Sequence, residues 1–224
     1  PTVYLNKSAY ANLPYSITLP TGAQINVNYQ ASPQIRREGS SMSANPSLPF
    51  PLKVVKSIAT TVSGQTSTEN FLYEDGAYVN RNASVTDLRY NREKLISFNK
   101  VTRTEADGSK TVTSYHQGNN ANSANLESND HAGLANRAYR VDVFDVDGVT
   151  LLKRTLTRYA VTNLPGYNTT GHWLVTPDSV VETEFGTSSS RSKAEGYIYD
   201  PANGNLLTQK HYGEVIVAAD GSFT

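Results

Sequence analysis

Polar and apolar positions alternate with a period of two along most of this chain, in runs that end at Gly, Asp, Asn or Pro. That period sends successive side chains to opposite faces of a strand, and turn residues between two such runs predict a hairpin. Residues 15–29 form the first one: Ser16-Ile17-Thr18-Leu19, the turn Pro20-Thr21-Gly22, then Ile25, Val27 and Tyr29 on one face. Residues 32–51, with Pro33, Gly39, Pro46, Pro49 and Pro51 among several Ser, break the alternation and predict a long ordered connector. Lys53 to Val62 then reads as a strand that turns at Gly64-Gln65 into 67–73. Residues 76–93 are polar and ambiguous, anchored by Tyr78, Leu88 and Tyr90.

A clearer unit follows three times. Residues 97–105 and 110–116 flank Ala106-Asp107-Gly108-Ser109; 139–144 and 149–161 flank Asp145-Val146-Asp147-Gly148; 193–199 and 205–212 flank Asp200-Pro201-Ala202-Asn203-Gly204. Asp-Gly between alternating runs is a strong local hairpin signal, because Asp bonds the turn backbone and Gly supplies positive φ. Residues 117–137 lack this patterning and predict a surface loop, with a short helix as an alternative around 130–136. Trp173 to Phe185 alternates over a long stretch interrupted by Pro177, which predicts an edge strand or a bulge. The expectation is all-β: successive antiparallel hairpins forming an extended curved sheet, one segment over 1–224 with a possible seam in the 32–51 connector.

Composition narrows the function classes. The 224 residues carry 20 basic and 20 acidic side chains, which argues against a nucleic-acid or polybasic membrane binder. No apolar run approaches the ~20 residues of a membrane span. With no Cys, thiol chemistry, disulfides and Cys-zinc sites are excluded. Fourteen Tyr against six Phe and one Trp suit a half-buried pleated surface. The chain begins at Pro1 without a signal peptide and ends on the turn signal Asp220-Gly221-Ser222, so a segment of something longer is expected.

Candidate chemistry is sparse. His116, His131, His172 and His211 show no metal-binding spacing, and the His116 ring is expected to bond the backbone or pack on a neighbouring strand. Asp142, Asp145 and Asp147 before Gly148 hint at a calcium loop, but Val143 stands where an acid is required; a strand with Asp142 outward, then a turn, fits better. Glu182 and Glu184 share a strand face and read as solvated rather than as a glycosidase pair. The Ser residues of Gly39-Ser40-Ser41 and 188–190 lack a nucleophile context. Tyr115, Tyr139, Tyr159, Tyr167, Tyr197, Tyr199 and Tyr212 with Trp173 suit a cross-strand packing ladder, or alternatively a glycan platform. Asn82 and Asn168 head glycosylation sequons. No catalytic, cofactor or metal residue is assigned, and no enzyme activity is expected.

Gly196-Tyr197-Ile198-Tyr199-Asp200-Pro201-Ala202-Asn203-Gly204-Asn205-Leu206-Leu207 resembles a YD repeat. The ordered run Leu19-Pro20-Thr21-Gly22, Asn45-Pro46-Ser47-Leu48-Pro49-Phe50-Pro51-Leu52, Ser97-Phe98-Asn99-Lys100-Val101, Ser114-Tyr115-His116-Gln117-Gly118-Asn119 and Tyr139-Arg140-Val141-Asp142-Val143-Phe144 extends the likeness. Together they resemble the region entering the repeats in the SpvB/TcdB-like B components of bacterial ABC insecticidal toxin complexes, a branch of the Rhs/YD-repeat superfamily. The resemblance implies a structural wall segment of a hollow β-shell that encloses a toxic polypeptide, secreted or extracellular, in contact with flanking shell sequence and other toxin-complex subunits. The family's autoproteolytic aspartates lie in a carboxy-terminal motif that nothing in this chain matches. The alternative function is an extracellular binding module that recognises glycan or protein through exposed tyrosines. The shell reading requires sheet edges left open by the chain itself.

Overall fold

The computed structural model describes residues 2–5, 13–48, 51–79, 94–118, 125–163 and 173–224. Twelve strands among them form one antiparallel sheet: β1 (Thr2–Leu5), β2 (Pro14–Thr18), β3 (Gln24–Ala31), β4 (Lys53–Val62), β5 (Gln65–Val79), β6 (Lys94–Thr104), β7 (Lys110–Tyr115), β8 (Ala138–Phe144), β9 (Leu151–Asn163), β10 (Trp173–Phe185), β11 (Ser190–Tyr199) and β12 (Leu206–Glu214). Each strand pairs with the next in sequence, so the whole is a meander, and β1 and β12 do not meet. The sheet is open.

The all-β expectation therefore holds, and the turn chemistry explains why. At the β6–β7 turn, the Ser109 amide and hydroxyl both donate to Asp107 Oδ1, at 3.0 and 2.7 Å, and Gly108 takes φ +97°. At β8–β9, Asp147 Oδ1 accepts from the amides of Val149 and Thr150, both at 2.8 Å. At β11–β12, Asp200 accepts from the Ala202 amide at 2.8 Å and from Asn203 Nδ2 at 2.7 Å. Each side chain satisfies backbone donors that the turn withdraws from the ladder. Pro177 sits at a bulge: the β9–β10 register slips between Pro177 and Ser179, and β10 is an interior strand. The missing proline N–H is thereby accommodated without an edge.

The sheet runs unbroken across the 32–51 connector, since β3 and β4 pair from Gln24↔Thr61 to Ala31↔Lys53. Of the ambiguous 76–93 stretch, residues 76–79 prolong β5, whereas Leu88 and Tyr90 lie outside the described residues. Among the described residues of the 117–137 loop, a 3₁₀ turn spans Ala132–Leu134.

No second sheet covers the first among the described residues, so burial comes from three local covers. The connector places Ile35 and Ala44, 2% and 0% exposed, beside β5. The 125–137 loop buries Leu134 completely. The C-terminal residues do not add a thirteenth strand. They fold into a small hairpin, with Val217 bridged to Phe223, and Val215, Val217 and Phe223 pack on the cluster Leu156, Val181 and Ala194. These three residues face one another on β9, β10 and β11, where Val181 pairs with both Leu156 and Ala194.

Candidate functional site

The described polar residues that are buried concentrate where the covers meet the sheet. Asp75 interrupts β5 with φ +51°, an αL conformation that withdraws its backbone from the ladder. Neighbouring segments compensate. The Asp75 amide donates to Ala44 O at 2.8 Å, and Gln117 Nε2 donates to Asp75 O at 2.6 Å. Asn45 brackets the same point, donating to Tyr73 O at 2.8 Å and accepting from the Gly76 amide at 2.9 Å. Leu48 lies over Gly76 so closely that a Cβ there would meet its side chain at 2.8 Å. The Asn-Pro-Ser-Leu and His-Gln-Gly segments, with 67 residues of sequence between them, thus clamp one strand irregularity, and the Asp75 amide and carbonyl, the Tyr73 carbonyl and the Gly76 amide each find a partner.

His116 lies next to this junction. It is 2% exposed, its amide donates to Arg137 O at 2.9 Å, and its carbonyl accepts from the Asn136 amide at 3.0 Å. These are main-chain bonds; the ring itself packs on Tyr139 of the neighbouring strand β8, the second of the two expected arrangements. The side chain does more. Nδ1 stands 2.7 Å from Glu127 Oε1 and 3.4 Å from Asp130 Oδ1, and the Gly118 amide donates to that same Asp130 oxygen at 2.6 Å. The ring packs against Tyr139, centroids 4.8 Å apart, and edge-on to Tyr159 at 6.0 Å. Burial lowers the imidazole pKa, opposed by Asp130. Burial first, then the charges of Glu127 and Asp130, push the Tyr139 phenol up to about 12, against an opposing pull from Ser114 and Arg140. Nothing in the sequence pattern marks this group, because the carboxylates follow His116 by 11 and 14 residues in a loop without metal spacing.

The other two described histidines stay apart from this group. His131 caps the 3₁₀ turn, accepting from the Gly133 amide at 3.0 Å, and meets the Trp173 ring edge-on at 4.7 Å. His211 is exposed and pairs with Glu195 at 3.0 Å. His172, Tyr167, Asn82 and Asn168 lie outside the described residues.

One expectation is corrected outright. Asp142 does not point outward: it is 2% exposed and held between two arginines. Arg140 Nε lies 2.8 Å from Oδ2, Arg154 Nε 2.7 Å from Oδ1, and Arg154 Nη2 3.0 Å from Oδ2. Burial alone would raise its pKa, but the bonds from Arg154 and Arg140 outweigh that and hold it below the ordinary aspartate value. Asp145 and Asp147 bond their own turn, so the three carboxylates do not converge.

Glu182 stands between Lys153 Nζ at 2.5 Å and Lys193 Nζ at 2.9 Å, with Glu184 exposed beside it, as a strand face in contact with solvent would have them. Ser40 accepts from the Met42 amide within its own turn, Ser188 and Ser189 lie in the β10–β11 tip, and Ser190 opens β11 opposite Phe185. The tyrosine contacts among the described residues fall into separate groups. Tyr139 and Tyr159 enclose His116, Tyr197 and Tyr199 neighbour each other along β11, and Tyr212 packs on Phe223.

Residues 4–123 match the family described as the insecticide toxin TcdB middle/N-terminal region. The match covers more than half of the chain. The chain belongs to this TcdB family. No curated protein sequence matches it. Among solved structures, the crystal structure of TcdB2-TccC3 is similar, with a TM-score of 0.65 at 15% identity over 92% of this chain. The chain corresponds to 12% of that much longer polypeptide. At that identity the likeness is one of fold, and it extends the TcdB-like architecture beyond residue 123 to nearly the whole chain. The clamp at Asp75, which joins 44–48 to 117, lies inside the family match.

Proposed function

We propose that this chain is a wall segment of a toxin-complex β-shell, with no catalysis of its own, acting by enclosing a toxic polypeptide outside the producing bacterium. One observation carries the reading. All nine residues of β12 are exposed, its outer edge has no partner strand among the described residues, and Ile198, Leu206, Leu207 and Tyr212 lie 48–62% exposed around it. An unpaired, partly apolar edge of that length favours continuation by another strand. Membership of a toxin-complex family and the 12% share of a TcdB2-TccC3 chain support such a continuation, with YD-like hairpins and further toxin-complex subunits as neighbours. Exposed Tyr15 and Tyr212 belong to β2 and β12, ten strands apart, and so form no shared glycan platform.

Amide hydrogen exchange compares the two situations. In the 224-residue chain, every second β12 amide is expected to exchange at nearly the unprotected rate; in the intact parent protein the same amides are expected to be protected. Equal, fast exchange in both would remove the support for a continued wall.

A further inference from the structure

His116, Glu127 and Asp130 offer three donor atoms within 4.8 Å of one another, and their side chains are 3%, 2% and 1% exposed. A fourth group is buried beside them. Tyr139 is 3% exposed and its ring lies on His116; among the described residues its hydroxyl has no hydrogen-bond partner. A buried phenol without a partner is uncommon, and each such group calls for a reason.

We propose that His116, Glu127 and Asp130 form a structural zinc site, with the Tyr139 hydroxyl at its fourth position. One imidazole nitrogen with two carboxylates is a donor set that suits a borderline divalent cation, and the absence of thiolates selects against softer metals. Donors at zinc's ~2.0–2.2 Å stand about 3.3–3.6 Å apart in a tetrahedron. The Nδ1–Asp130 separation of 3.4 Å already meets this, and the Glu127 carboxylate at 2.7 Å need withdraw by less than an ångström. Binding replaces the hydrogen that Nδ1 and Glu127 share, which is released as a proton. Zinc supplies two positive charges to two carboxylates, where an imidazolium supplies one. It ties β7 and β8, through His116 and Tyr139, to the 125–137 loop.

The test uses the 224-residue chain after chelation and dialysis. Titration with zinc chloride is expected to show one bound ion, and a hundredfold excess over Kd to raise the melting temperature by about 5–10 °C. Cobalt is expected to give the absorption bands of a four-coordinate site. Glu127→Gln and His116→Ala are expected to abolish the binding, Tyr139→Phe to weaken it about tenfold, and His211→Ala, at the exposed His211–Glu195 pair, to leave it unchanged. No stoichiometric uptake overturns the proposal. So does uptake that survives Glu127→Gln or disappears in His211→Ala. Because Glu127→Gln is isosteric, it keeps the test decisive if His116→Ala fails to fold.

Discussion

Asp142→Ala is expected to destabilise the fold by about 3 kcal/mol, the lower end of the cost of leaving one side of a buried ion pair unmatched. The lower end applies because Arg140 and Arg154 keep 21% and 23% of their side-chain exposure and can turn towards solvent. For a chain of this length the melting temperature should fall by about 6–12 °C. Asp142→Asn separates charge from shape: it keeps the volume and one acceptor, and should lose less than the alanine variant. The pH dependence has a definite sign. The Asp142 pKa is depressed in the folded state relative to 3.8, so its contribution is fully present above that value and is lost as pH falls through the folded pKa. The Asp142→Asn variant should lack that acid-dependent component in denaturant titrations between pH 2 and pH 5. An alanine variant as stable as the parent would show that the two arginines do not depend on Asp142.

Leu156→Ala is expected to cost about 2–3 kcal/mol. Leu156 is 6% exposed and belongs to the buried Leu156–Val181–Ala194 cluster, and Leu→Ala at such positions costs about 2–5 kcal/mol. The lower part of that range is expected because the cover here is a short hairpin that can settle into the space. Gly221 already lies so near that a Cβ on it would meet Leu156 Cδ1 at 2.9 Å. The loss should be local as well as global: amides of 215–224 should lose hydrogen-exchange protection before those of β9 and β10. If residues 215–224 stay protected at the parent level while global stability drops, the hairpin is held by something other than this cluster.

How far the sequence reveals this molecule depends on the range of the interaction. Hairpins are set by neighbours in sequence, and the Asp-Gly turns at 107–108 and 147–148 and the Asn-Gly turn at 200–204, with their alternating arms, are readable directly. β4 and β10 begin and end at the residues the alternation predicts. Asp142 shows where that logic stops. Counting back from the turn pairs Phe144 with Leu151 and would set Asp142 opposite Lys153; a slip between Val143 and Phe144 puts it opposite Arg154 instead. A one-residue bulge leaves no mark in the pattern. The group at His116 is less legible still, because Glu127 and Asp130 arrive from a loop whose path depends on the sheet it covers. The turn signal Asp220-Gly221-Ser222 does make a turn, with Ser222 donating to Asp220 as Ser109 does to Asp107. What alternation alone does not disclose is that Val217 and Phe223 pack on the face of the sheet rather than along its edge.

The wall reading is tested most directly by electron cryomicroscopy of the intact parent protein. The twelve-stranded sheet should lie within a closed shell, with β12 hydrogen-bonded to a following strand and Leu206, Leu207 and Ile198 covered by neighbouring hairpins. A map in which the β12 edge faces open solvent, or in which this sheet projects from the shell as a separate lobe, would contradict it.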